Sequence, residues 1–505
     1  MSDGNFQELE NYKNAARRLR KSHAKGDPEA IARVVKHVSV EKKLRHADFL
    51  HVIAREGGHE SWPKLKFAIE SGAMSRAQRA ERLKVALYFG QHWVTEKLLQ
   101  GDPDLKNDNL GLQIALYDLE AVRTAIEADA SAATRVVGIR SPILHLAYSK
   151  DIHRRPDKST DMTAIADLLI SHGADVDEGY SPEPEGDYKL SALYGALCHA
   201  DNFALGRWLL EQGANPNDDE SLYHSTELGH TKALELLLRH GAKPDGTNAL
   251  PRALDFDNAE MVRLLLEAGA DPNLTVPDHP SGQPMNTIPS LHQAARRGCS
   301  VKIVELLLKF GADPVARWDS HTPYAMAMIY GNRPVATFLD QKGYAEPLDR
   351  NELVLAACAD NGPAPGPLDV THLSDEDKGL LTRLAFIPGN LGHMQRLVSA
   401  GLDPDVTDSM GLPPLHVAGW NGLREEMAYF LSLGPDLTRK NDYGGDALDT
   451  VIHGSEFAPK RPEADHLACA RLLLEAGSVL YPNFIAGCGN EDMVQFLEDW
   501  RDASR

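Results

Sequence analysis

One short word recurs along this chain and constrains its fold more than anything else in it. The word is an apolar pair, two or three spacer residues, then Gly-Ala and often Asp-Pro. It reads LLISHGADVD (168–177), LLEQGANPN (209–217), LLRHGAKPD (237–245), LLEAGADPN (265–273), LLKFGADPV (307–315) and LLEAGSVL (473–480). Weaker copies are FLDQKGY (338–344), LVSAGLDPD (397–405) and FLSLGPDL (430–437). Their glycines fall at 173, 213, 241, 269, 311, 343, 401, 434 and 477, so the gaps are 40, 28, 28, 42, 32, 58, 33 and 43. A basic unit of roughly 30 residues fits, the longest gap holding two, and such a period signifies a repeat architecture.

Elementary physics explains the word. The Leu pair ends an amphipathic helix whose apolar side packs on neighbours. The Gly stands where the chain leaves the helix in a left-handed conformation, which Gly adopts at least cost. Asp, Asn and Pro then favour an extended turn over more helix. Upstream lies a shorter helix opened by Pro or a small residue, clearest in PSLHQAARRG (289–298) and LPPLHVAGWNG (412–422). Each unit is therefore helix, turn, helix, loop. No unit covers its own apolar face, so the units must stack into one continuous core.

PLHVA (414–418), SLHQAA (290–295) and TPYAMA (322–327), each followed by a second helix and a Gly turn, resemble the signature of ankyrin repeats. The resemblance implies an all-α solenoid of stacked helix-turn-helix units with loops or β-hairpin fingers along one edge. About eleven to thirteen units fit between residues 83 and 500. A small N-terminal helical bundle precedes them. The expected organisation is a basic helical head (1–82), a repeat block (83–345), a Pro/Gly-rich joint or degenerate repeat (346–379) and a second block (380–505). Departures from the pattern are informative. The two 28-residue gaps predict tight loops at 218–220 and 246–248. Tyr194, Tyr223, Pro251 and Ala325 replace the signature His, which elsewhere (His145, His292, His416) is expected to bridge to a neighbouring turn's backbone. Insertions enlarge units at 149–162, 179–189, 276–286 and 453–465; they read either as parts of a binding face or as drift in loops that tolerate length.

Charge is distributed unevenly over the 505 residues, whose formal net charge is −20. Residues 1–84 hold 18 Lys+Arg and 11 Asp+Glu, net +7, leaving 35 and 62, net −27, for the rest. An acidic body argues against binding nucleic-acid phosphates. The basic face of NYKNAARRLRKSHAKG (11–26) reads as a solvated helix face, with contact to an acidic surface as the alternative. A second helix is expected over 26–38, capped by Asp27, with Ile31, Val34 and Val35 on its packed side. The stretch 47–66 resembles a helical segment that precedes ankyrin repeats in bacterial proteins. Within it Trp62 is expected to staple the bundle onto the first repeat, or else to belong to a docking module. The C-terminal run EDWRDASR (498–505) suits a solvated cap.

No stretch approaches a membrane span, the N-terminus has no apolar leader core, and five scattered Cys without a CxxC argue against a disulfide scaffold. A cytoplasmic protein without membrane or nucleic-acid partners is expected. No GxSxG, P-loop, HExxH or GxGxxG context is present, so no catalytic residue, cofactor or metal is assigned.

What remains is recognition. The repeat register places Glu227, Phe256, Arg296, Arg297, Tyr330 and Trp420 toward the groove, and Trp318, Asp319, His321, Asp408, Met410, Asp442 and Tyr443 at loop tips. Trp, Tyr and Arg are the residue types that anchor interfaces. Trp420, between Gly419 and Asn421 in the best-conforming repeat, leads, though it could equally pack against the next unit; Arg296 and Arg297 either hold an acidic patch or balance nearby Asp and Glu. The expected function is a protein-interaction scaffold for a partner with a basic surface. The alternative is an enzyme or small-ligand receptor whose insertions close a pocket.

Overall fold

The computed structural model describes residues 3–39, 44–182, 188–275, 288–360, 366–408, 410–458 and 461–503. The insertion at 276–286 lies outside the described residues, as do parts of those at 179–189 and 453–465 and part of the joint. The chain divides into two compact units, residues 74–346, and residues 1–73 together with 347–505.

The 74–346 unit is a stack of helix pairs, short then long. Examples are Leu110–Ala115 with Leu119–Ala128, Ala249–Asp255 with Ala259–Glu267, and Ser290–Arg296 with Val301–Lys309. One buried cluster of Leu, Ile, Val, Met and Ala runs through them from Ile114 to Leu339. This is the all-α repeat solenoid that the word demanded. All nine word glycines have positive φ, from 75° at Gly434 to 116° at Gly401. At Gly173, Gly213, Gly241, Gly269 and Gly311 nothing lies within 4 Å of where a Cβ would stand, so conformation rather than space requires the glycine. The residue after the glycine then donates its N–H back across the turn: Ala174 to Leu169, Ala242 to Leu237, Ala270 to Leu265 and Ala312 to Leu307, at 2.9–3.0 Å. That bond satisfies a terminal carbonyl and fixes why Gly-Ala follows Leu.

Short fingers project between units, as Gly179–Tyr180 paired with Leu190–Ser191 and as bridges Val137–Arg140 and Trp318–His321. The loops at 218–220 and 246–248 show no such pairing and are tight, as their short gaps required. His292 behaves as expected, its Nε2 donating to the His321 carbonyl at 3.1 Å. His145 does so too, donating to the Val137 carbonyl in the finger before it, at 2.9 Å. His416 meets a side chain, Thr450 Oγ1 at 3.4 Å. The insertion at 149–162 folds into two short turns between its helices, where Asp151 pairs with Arg154 and His153 donates to the Ala200 carbonyl.

The other unit carries the pairs Leu380–Leu384 with Leu391–Ala400, Pro414–Trp420 with Arg424–Ser432, and Ala447–Phe457 with His466–Glu475. Ser374 caps Asp375–Lys378 through the Asp377 N–H, as its sequence suggested. The head folds as helices Asp3–Ala24, Pro28–Val35, His46–Glu56 and Trp62–Ala73. Asp27 caps the second of these, but its packed side is Ala30 and Val34; Ile31 and Val35 are exposed, one helical position away.

Trp62 is 5% exposed within the head's own core beside Leu50 and Leu65, so it is a core residue of the bundle. Two expectations about the head and the C-terminus are corrected here. The basic face is only partly solvated: Arg18, Lys21 and Lys25 are exposed, but Arg17 pairs with Glu498, Arg20 with Asp499, and Lys13 and Lys66 with Glu491, all on helix Glu491–Ala503. Asp492 also accepts the Ala47 N–H at 2.8 Å, capping helix His46–Glu56 from outside. The C-terminal run is therefore no free cap; its acids neutralise the chain's own basic head. Burial pushes the Glu491 carboxyl up, but Lys13 and Lys66 outweigh it and hold the group below its usual range.

Candidate partner-binding cleft

Three residues from separate sequence words, Met410, Trp420 and Tyr443, converge on one cleft of about 510 Å³. Phe386, Leu412, Val417, Asp449 and His453 are also part of its wall. Helix Pro414–Trp420 lies close against helix Ala447–Phe457 because residue 454 has no side chain: a Cβ there would stand 2.4 Å from the Trp420 carbonyl oxygen. The same carbonyl accepts from His466 Nε2 at 2.9 Å. Trp420 is thus held by its backbone while its ring faces His453 at 5.5 Å, and His453 in turn faces Phe457 at 4.5 Å.

The finger carrying Tyr443 is organised by Asn441, whose Oδ1 accepts from the Tyr443 and Gly445 N–H groups and whose Nδ2 donates to Thr450 Oγ1. The preceding finger is organised by Asp408, which accepts the Met410 and Leu412 N–H groups at 2.9 Å. The Asp442 N–H donates to the Met410 carbonyl, joining the two fingers. Asp408 therefore builds a turn. Tyr443 stands 77% exposed, its hydroxyl 3.3 Å from the Met410 sulfur.

Asp449 supplies the cleft's charge. No Lys or Arg lies within ion-pair distance of it among the described residues, and burial, then Asp446, pushes its carboxyl above the usual range. An aromatic wall beside an unpaired carboxylate suits a group that is both cationic and partly apolar.

The remaining expected residues lie in the 74–346 unit. Glu227, Phe256 and Arg297 meet in a ladder of ion pairs along the short helices. Glu227 bonds His224 and Arg252 at 2.8 Å, Arg252 bonds Asp255 at 3.1 Å, and Arg297 bonds Asp255 at 2.8 Å. Phe256 lies under the Arg252 guanidinium at 4.8 Å. Arg297 therefore balances a near acid. Arg296 donates to Gln293 Oε1 at 2.7 Å. Burial opposes a charge on His224, but Glu220 and Glu227 on its two nitrogens overcome it and raise the imidazole to about 9. Tyr330 is half-buried against the core of its unit. Trp318 and His321 exchange backbone bonds of 2.9 and 3.0 Å around Asp319 and Ser320, whose φ values are 48° and 76°. His321 is 3% exposed, which corrects its place at a loop tip: it closes the finger and accepts from His292.

Sequence reasoning missed a second cleft of about 530 Å³, around Arg140, and with it Tyr88, Tyr148 and Tyr180. These four are spread over three successive repeats, outside the repeat word, so no local pattern joins them. Among the described residues no group of three or more His, Cys, Asp or Glu is placed to hold a metal, and no helix is long and apolar enough to cross a membrane.

Comparison with known proteins agrees with the helix pairs. Residues 193–276 match the family model for ankyrin repeats (3 copies), and residues 290–319 match that for a single ankyrin repeat. Among solved structures the chain is similar to an ankyrin repeat domain from Acinetobacter baumannii, at 26% identity over 40% of this chain and 97% of that one, with a TM-score of 0.31. It is also similar to the human ASB11 ankyrin repeat domain, at 20% identity over 52% and 99%, with a TM-score of 0.21. A search of curated proteins found no match.

Proposed function

We propose that this chain, whose residues 193–276 and 290–319 are ankyrin repeats, is a protein-interaction scaffold that holds a partner's basic, partly apolar segment in the Trp420 cleft. Ankyrin repeats are generally protein–protein interaction modules. The finer reading rests on one observation: Trp420, Tyr443 and Met410 line one cleft with a carboxylate, Asp449, that makes no ion pair with a Lys or Arg among the described residues. A Lys or Arg of the partner would lay its stem on the rings and its charge toward Asp449. Cation–π contact of this kind is worth about 0.5–2 kcal/mol, rising with desolvation. The net charge of −20 favours the encounter at long range.

Affinity capture from lysate with the intact chain tests the reading against three variants. Tyr443→Ala removes an exposed ring, Asp449→Asn removes the charge, and Trp420→Ala removes the wall. Each is expected to lose the same captured protein while thermal unfolding of Tyr443→Ala and Asp449→Asn stays close to the parent. Capture unchanged in all three sinks the assignment.

A further inference from the structure

The Arg140 cleft rests on no expectation from the sequence and has the opposite chemistry. Arg140 ends the finger Val137–Arg140, and Gly138 turns that finger with φ of 72°. His145 fixes the finger by donating to the Val137 carbonyl. The His145 ring in turn occupies the space left by Gly111, where a Cβ would stand 2.8 Å from Nε2. So placed, the Arg140 guanidinium carbon lies 4.5 Å from the Tyr88 ring, 4.7 Å from Tyr180 and 4.9 Å from Tyr148. Nη2 donates to the Tyr180 hydroxyl at 2.8 Å, and Nε is buried without an acceptor.

Ring faces attract a cation but do not neutralise it. Among the described residues no carboxylate lies within ion-pair distance of Arg140, whereas most of the other arginines of this unit named above have one. The cleft beside it contains three charged side chains, Lys84, Arg140 and Glu81, and Glu81 is already paired with Lys84 at 2.6 Å. One positive charge is left over. Its two nearby imidazoles add none at neutral pH: burial, then the Arg140 and Lys150 charges, depress His145 and His199 to about 4. The rim is apolar and open to solvent, formed by Val85, Phe89 and Ile139, the last 72% exposed.

We propose that the Arg140 cleft binds a carboxylate carried on an apolar peptide segment, the anion on the guanidinium and the apolar group on Val85, Phe89 and Ile139. A single surplus charge beside Glu81 suits a monoanion and disfavours a phosphate dianion. Arginine bound to a carboxylate gains a charge-assisted, directional bond that the tyrosines do not provide. The apolar rim supplies the burial that a lone exposed ion pair lacks. A purely structural Arg140 would pin the finger and leave no preference for an anion.

The test titrates the full chain with three probes: acetyl-Gly-Leu-Phe as the free acid, the same peptide as its amide, and acetyl-Leu-Glu-Leu amide. Either carboxylate peptide is expected to bind about tenfold more tightly than the neutral amide. Which of the two does so tells a chain terminus from a side chain. Raising salt from about 0.05 to about 0.5 M should weaken that binding several-fold. Ile139→Glu, on an exposed rim position, places a competing carboxylate at the mouth and should abolish the preference without moving the unfolding temperature. Arg140→Met should abolish it as well. Equal binding of acid and amide, no binding of either acid, or an undiminished preference in Ile139→Glu overturns the proposal.

Discussion

The two clefts share a construction and differ in sign. Each lies where the first helix of a repeat meets a finger, and each depends on a bare Cα that lets an aromatic residue settle: Gly454 against the Trp420 backbone and Gly195 against the Tyr148 ring. Each finger turns at a left-handed glycine with open space around it, Gly444 at 80° and Gly138 at 72°. In one, aromatic residues share the lining with a carboxylate, Asp449; in the other, rings surround a guanidinium, Arg140. One repeat frame thus presents either charge, because frame residues set the shape while finger and helix-end residues set the electrostatics. Along the Glu227–Arg252–Asp255–Arg297 ladder the charges answer each other and little is left for a partner.

The comparison breaks most sharply at the two buried glycines. Gly454→Ala drives a methyl against the Trp420 backbone, which cannot swing aside, so its unit should lose at least about 2 kcal/mol by denaturant unfolding. Gly195→Ala meets the Tyr148 ring at 2.5 Å, a side chain that can yield. Its cost should be smaller, about 1–2 kcal/mol, with a visible change in tyrosine near-ultraviolet dichroism. If the two cost the same, the asymmetry between backbone and side-chain support is wrong.

Acid sharpens the difference next. His145 and His199 beside the Arg140 cleft and His416 beside the Trp420 cleft are all depressed to about 4, by burial first. Unfolded histidine takes its proton near pH 6.5, so between about 6.5 and 4 the unfolded chain binds more protons and stability falls as pH falls. Each histidine contributes roughly 1–3 kcal/mol to that loss by the lower end. Asp449, raised in the folded chain, acts the other way and regains stability as it protonates on acidification. The Arg140 cleft has two histidines and no such carboxylate, so hydrogen exchange between pH 7 and 4 should show its amides losing more protection than those around Trp420. Equal loss in both would refute this balance. His224 has the reverse slope: its bridge between Glu220 and Glu227 is complete below pH 6.5 and is lost as pH rises through about 9.

The smallest effect should come from the finger tips. Gly138→Ala and Gly444→Ala add a Cβ that meets nothing but must hold a positive φ. Each should cost about 1 kcal/mol. A much larger loss in either would mean that the finger shapes the core and not only the cleft mouth.

Much of the frame was legible because its rules are local. A helix that ends in a Leu pair, must stop and must return needs a left-handed residue at one place, and all nine glycines occupy that conformation. The Ser374 and Asp27 caps were legible for the same reason, each acting on an N–H two or three residues away. Part of the candidate site followed from the register: Trp420, Met410 and Tyr443 were named one by one, though not as one cleft. His321 went the other way, because a polar residue in a short turn looks exposed until a neighbouring finger and His292 cover it. The basic face of the first helix looked solvated because the acids that answer it, Glu491, Glu498 and Asp499, lie more than 470 residues further along.

By itself the sequence determined the unit, its turns and the stacking, since an unshared apolar face and an obligatory left-handed exit leave few alternatives. Only the tertiary structure decided which charges remain unanswered. That balance sums over groups brought within a few ångströms from distant words, and Coulomb energy depends on distance through space, whereas the repeat specifies distance along the chain.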